Sequence, residues 1–119
     1  MRDFRELKIW GKAHQFTLDV YIATQDFPND ERFGLTAQLR RAAASIPTNI
    51  AEGCGRHGER ELARFISIAA GSASEAEYQL LLALELKYIH EETYRELNFH
   101  VNELKRMLNG FIQTLTANS

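Results

Sequence analysis

A chain of 119 residues is the size of one domain. With 45% hydrophobic and 25% charged residues it has the composition of a folded protein and not of a disordered one. Fourteen basic against sixteen acidic side chains leave a net charge of −2, which excludes a histone-like protein that holds nucleic acid by bulk charge. The single cysteine, Cys54, excludes an intrachain disulfide framework.

Two prolines and seven glycines favour long regular elements. The opening run from Met1 to Lys8 is charged at once and has no apolar stretch, so no signal peptide is expected. The longest nearly apolar run, residues 65–84, is interrupted by Ser67, Ser72, Ser74, Glu75, Glu77 and Gln79. It reads as a buried helix, not a membrane span, and the cytoplasm is the expected compartment.

The pattern predicts four helices. The first spans about residues 5–24, with one stripe through Leu7, Trp10, His14, Thr17 or Leu18, and Tyr21 and an adjacent one through Ile9, Ala13, Phe16, Val20 and Ala23. Phe27-Pro28-Asn29-Asp30 ends it, because proline disfavours helix at the residue before it. The second spans about residues 31–54, with Leu35, Leu39, Ala42, Ala43, Ile46 and Ile50 on one face. Pro47 lies inside that pattern and predicts a kink or a brief break. Gly53-Cys54-Gly55 reads as a stop with glycines free to form a left-handed cap. The third spans about residues 58–88; its Ala-, Gly- and Ser-rich middle predicts close helix packing, with Gly71 as the point of approach. The fourth spans about residues 91–116. Tyr94, Leu97, Val101, Leu104, Leu108, Phe111 and Leu115 follow an unbroken 3,4 spacing, the seam of a bundle. Short connections make successive helices antiparallel. The expected fold is all-α, an up-down-up-down four-helix bundle forming one domain over residues 1–119.

Residues 32–64 hold six arginines against three glutamates, +3, which leaves −5 for the rest of a chain at −2. Arg40, Arg41, Arg56, Arg60 and Arg64 are candidates for contact with phosphate or with a partner, since guanidinium offers a planar fork of donors. The same arginines alternate with Glu52, Glu59 and Glu61, so a solvated face or ion pairs between helices is the competing reading. Ser45, Asn49, Glu52, Ser72 and Glu75 are polar positions on crowded helices. They predict a hydrogen-bonded network within or between subunits.

The sequence offers no catalytic constellation and implies no cofactor. A di-iron bundle needs Glu-x-x-His on two helices, and none of His14, His57, His90 and His100 has glutamate three residues before it. Cys54 and His57 form half of a zinc-like spacing with no second half. No nucleophile elbow, P-loop or dinucleotide fingerprint is present. No metal, membrane or small-molecule substrate is expected.

Several runs together resemble a known family: Phe33-Gly34-Leu35-Thr36-Ala37-Gln38-Leu39-Arg40-Arg41-Ala42-Ala43, Ser45-Ile46-Pro47, Asn49-Ile50-Ala51-Glu52-Gly53, and Ile68-Ala69-Ala70-Gly71-Ser72 with Glu75. They are similar to the four-helix-bundle proteins encoded in intervening sequences of bacterial 23S rRNA genes. The resemblance implies an antiparallel four-helix bundle assembled as a ring-like homopentamer. It also implies kinship with the accessory variability determinant of diversity-generating retroelements, which associates with a reverse transcriptase and with nucleic acid. Where that family often carries serine or threonine before the third helix, this chain has His57-Gly58, which predicts a weaker cap. Two readings of function follow. One is a non-enzymatic, nucleic-acid-associated accessory protein using an arginine face; the other is an oligomeric scaffold whose arginines and glutamates hold subunits together.

Overall fold

A computed structural model describes residues 2–117. Its long helices are α1 (Lys8–Ala23), α2 (Leu35–Cys54), α3 (Glu59–Glu85) and α4 (Glu91–Thr116). Single 3-10 turns at Phe4–Glu6, Thr24–Asp26 and Asn29–Glu31 take up residues that the sequence pattern assigns to the ends of the first two helices. Among the described residues there is no strand.

Side-chain contacts set the directions. Arg40 reaches Thr24, Ser45 meets Ser72, Lys105 pairs with Glu77 and Lys12 with Glu103, so each helix runs antiparallel to the next and α4 closes back on α1. The four-helix bundle measures 46 × 22 × 20 Å. α2 on α3 and α3 on α4 are the extensive contacts, and α1 on α4 is the lightest of the four neighbouring pairs.

The core is one cluster, fed by every helix at helical spacing: Phe16 and Val20, Leu39 and Ile46, Ile66 and Leu80, Leu104 and Leu108. On α1 Ile9, Ala13, Phe16 and Val20 are buried together with Thr17, while His14, Leu18 and Tyr21 face out. The α4 seam is buried at Leu97, Val101, Leu104, Leu108 and Leu115, as its spacing predicts.

No break occurs at Pro47: α2 is continuous through it, with the proline ring buried. Proline has no N–H to give to the carbonyl four residues back. That carbonyl, on Ala43, instead accepts from the Thr17 hydroxyl of α1, with Oγ1 3.0 Å away. α2 ends without a left-handed glycine. Gly53 is helical and buried, and Gly55 caps with φ −83°. The close approach of α2 to α3 is also at Gly53. A Cβ there would lie 2.9 Å from Phe65 Cβ and 3.0 Å from Leu62 Cδ1, whereas one on Gly71 would meet nothing within 4 Å.

Left-handed backbone occurs at two other places. Gly58 opens α3 at φ 85° with no side-chain cap, in line with the weak cap expected of His57-Gly58. Lys87, at φ 66°, ends it. The Lys87 N–H donates to Leu84 O and the Tyr88 N–H to Ala83 O, which is a Schellman motif with lysine in the usual glycine place.

Glu31 supplies the missing cap of α2. Its Oε1 accepts from the Leu35 N–H at 3.0 Å and its Oε2 from the Tyr88 hydroxyl at 2.9 Å, tying the start of α2 to the α3–α4 connection. These bonds favour the charged carboxylate and hold its pKa below the ordinary value. The contribution is present above the ordinary carboxylate range and is lost as pH falls through the lowered value. Melting temperatures of the wild type at neutral and at strongly acidic pH should therefore differ more than those of Glu31→Gln. Equal pH dependence would remove this role from Glu31.

Candidate functional site

Three of the five candidate arginines meet at one end of the bundle, where the turn at residues 55–58 joins α2 to α3. Arg56 and Arg64 both lie over Phe65, their guanidinium carbons 5.1 and 4.5 Å from the ring centroid. Arg56 donates to Glu52 at 3.3 Å, and Arg64 to Glu61 at 3.0 and 3.3 Å. The second pair holds the Glu61 carboxyl below its ordinary pKa and raises that of Arg64. Arg60, one turn before Arg64, is exposed and forms no ion pair within the described residues. Arg2 joins this end through Glu59 at 3.5 Å.

Arg40 and Arg41 are elsewhere. Arg40 is tethered to the end of α1: Nε donates to Thr24 Oγ1 at 2.7 Å, Nη2 to Tyr21 O at 3.3 Å, and the guanidinium lies over the Tyr21 ring at 4.7 Å. Arg41 is exposed on α2, twelve residues before Gly53, so about 18 Å along the axis from the Phe65 cluster. The five arginines are not one patch.

The polar network is smaller than the five positions expected from sequence. Ser45 Oγ and Ser72 Oγ are 2.8 Å apart across the α2–α3 seam, and Asn49 Nδ2 donates to Ser45 O at 2.8 Å and to Ser45 Oγ at 2.9 Å. Glu52 turns to Arg56 instead, and Glu75 accepts from Gln79 at 3.3 Å. The Ser45–Asn49–Ser72 cluster links α2 to α3 by hydrogen bonds and has no titratable member.

A feature that no sequence motif marks is a cleft of about 360 Å³ where the end of α1 meets the α3–α4 connection and the start of α4. Asp19, Asp26, Glu96, His90 and His100 line it together with Ile22, Ala23, Ile89 and Leu97. In the sequence, Glu96 and His100, four apart on the fourth helix, are its one visible signal. Among the described residues no group of three or more His, Cys, Asp or Glu stands close enough to hold a metal ion. No helix among them is long and apolar enough to cross a membrane.

The fold defines the class: an antiparallel four-helix bundle with a few polar side chains tying one helix to the next. The chain belongs to the family of 23S rRNA-intervening sequence proteins, whose model matches residues 5–110. It is also similar to a solved structure from Bacteroides thetaiotaomicron VPI-5482, a protein with unknown function from the S23 ribosomal protein family. The identity is 25%, the TM-score is 0.79, and the match covers 88% of this chain and 98% of that one. Among curated proteins none matches.

Proposed function

We propose that this protein acts by association and catalyses no reaction, and that its first partner is another copy of itself. The observation that carries this reading is the outward face of α3. Ile68, Tyr78 and Leu81 are exposed there (Tyr78 by 61%), and Gly71, on the same face, has open space where a Cβ would point. Within one chain this face covers nothing. A glycine that costs about 1 kcal/mol in a helix and meets no neighbour fits a contact made by a second helix. Family membership supports the reading, since the resemblance implies a ring-like homopentamer.

Sedimentation velocity tests it. The wild type is expected to run as an assembly and Tyr78→Glu as a monomer of unchanged helicity. Gly71→Ala should be more stable within each chain by about 0.5–1 kcal/mol, yet assemble more weakly. A wild type that stays monomeric at tens of micromolar overturns the proposal.

A second reading, contact with nucleic acid, is favoured by Arg60, which is exposed and forms no ion pair among the described residues beside Arg56 and Arg64. Ion pairing of its two neighbours lowers the charge available to phosphate, which places this reading second. Binding of this kind falls steeply with salt. Filter retention of RNA and DNA at two salt concentrations checks it, and no retention at low salt ends it.

A further inference from the structure

We infer that the groove between α1 and α4 is a docking site for a cationic amphipathic helix of another protein. Two hollows form the groove. The cleft of about 360 Å³ continues into one of about 120 Å³, and the two share Asp19 and His100. The main cleft is lined by three carboxylates and by no lysine or arginine. Asp26 and Glu96 have no hydrogen bond or ion pair among the described residues, and Asp19 accepts only from the Gln15 amide, at 3.0 Å. The one cation bordering the smaller hollow, Lys12, is already neutralised by Glu103 at 3.1 Å. The groove is thus rich in carboxylates, with the imidazoles of His90 and His100 as the other titratable groups of its main cleft.

Apolar side chains share the lining with these carboxylates. Ile22, 63% exposed, projects beside Ala23, Ile89 and Leu97, and Leu18 continues the exposed row one turn earlier. Carboxylates along an apolar strip are complementary to a segment with an aliphatic stripe flanked by lysines or arginines, and not to a polyanion. The stretch of α4 beside the groove, Thr93 to Leu104, is about 17 Å long, so it accommodates three turns of an added helix. The neighbouring helix pair is also the lightest contact of the bundle, which leaves its side chains accessible to a fifth element. An α1 carbonyl already holds a guanidinium on the other flank, where Arg40 donates to Tyr21 O. This surface is separate from the outward face of α3, so its failure leaves self-association standing, and the reverse also holds.

The test uses the whole chain and a fluorescein-labelled, 18-residue helical peptide with one leucine face and one lysine face. Anisotropy should show binding at low salt that weakens at higher salt. Asp26→Asn combined with Glu96→Gln should weaken it at least tenfold with helicity unchanged, and so should Ile22→Ser alone. Amide shifts on peptide addition should fall on residues 19–26 and 89–100. Four outcomes overturn the proposal. They are absence of binding, equal binding by a scrambled peptide of the same composition, displacement by spermidine at equal charge, and loss of a homo-oligomer on Ile22→Ser. The second and third would make the groove a reader of charge only; the fourth would assign it to a second copy.

Discussion

Thr17→Val is expected to lower the unfolding free energy by about 2 kcal/mol, although valine has nearly the shape of threonine. Pro47 leaves the Ala43 carbonyl without its helical donor, and Ala43 is fully buried. The Thr17 hydroxyl is the replacement donor, its single proton lying between Ala43 O at 3.0 Å and Ala13 O at 2.9 Å. A buried carbonyl left unpaired costs about 1–3 kcal/mol. The cause is separable from simple packing loss. Pro47→Ala restores an N–H four residues after Ala43, so in that background Thr17→Val should cost about 1 kcal/mol less. Urea denaturation of the four proteins closes the cycle, and strict additivity would mean that Thr17 does not serve the proline.

The second large effect pairs one substitution at two sites with opposite signs. Gly53→Ala should destabilise by about 2 kcal/mol: overpacking of about 3 kcal/mol exceeds the roughly 1 kcal/mol that alanine gains over glycine in a helix. The added methyl would lie 2.9 Å from Phe65 Cβ, an atom fixed to the α3 backbone, so it yields only if the helices part. Parting them strains the Ser45–Ser72 bond in the same seam. Gly71→Ala meets nothing within 4 Å in one chain and should stabilise it. Chemical denaturation of both variants at a concentration that keeps the chain monomeric measures the contrast. A Gly53→Ala protein as stable as the wild type would show that α2 and α3 can separate freely.

Those two glycines mark how far the sequence could be read. The α4 seam was legible because seven apolar positions at 3,4 spacing can bury themselves in only one way. The identity of the close-packed glycine was not. Gly71 sits among alanines and serines and Gly53 beside a cysteine and a second glycine, and only the crossing of the helices puts Phe65 against Gly53. Pro47 is similar. A break is the local expectation, and the donor that removes the need for one comes from Thr17 on another helix. The candidate arginines were legible as residues but not as a set. Arg40 and Arg41 are adjacent in the chain, yet Arg40 is captured by Thr24 and Tyr21 while Arg41 makes no hydrogen bond or ion pair among the described residues. The acidic groove was hidden for the opposite reason. Asp19 and Asp26 lie near each other at the end of α1, but Glu96 is far along the chain, and only the packing of α4 against α1 brings it beside them.

Cys54 has a practical consequence. It closes α2 at 1% exposure, its carbonyl accepts from the Arg2 N–H at 2.9 Å, and burial pushes its thiol pKa above the ordinary value. Thiolate, the reactive form, is therefore scarce, and a reagent reaches the sulfur when local opening at this end of the bundle uncovers it. With one cysteine in 119 residues, every modified molecule reports that one event. The rate at which a colourless disulfide reagent turns yellow in the presence of this protein is a stopwatch for the opening of the arginine-bearing end, built into the chain without any engineered label.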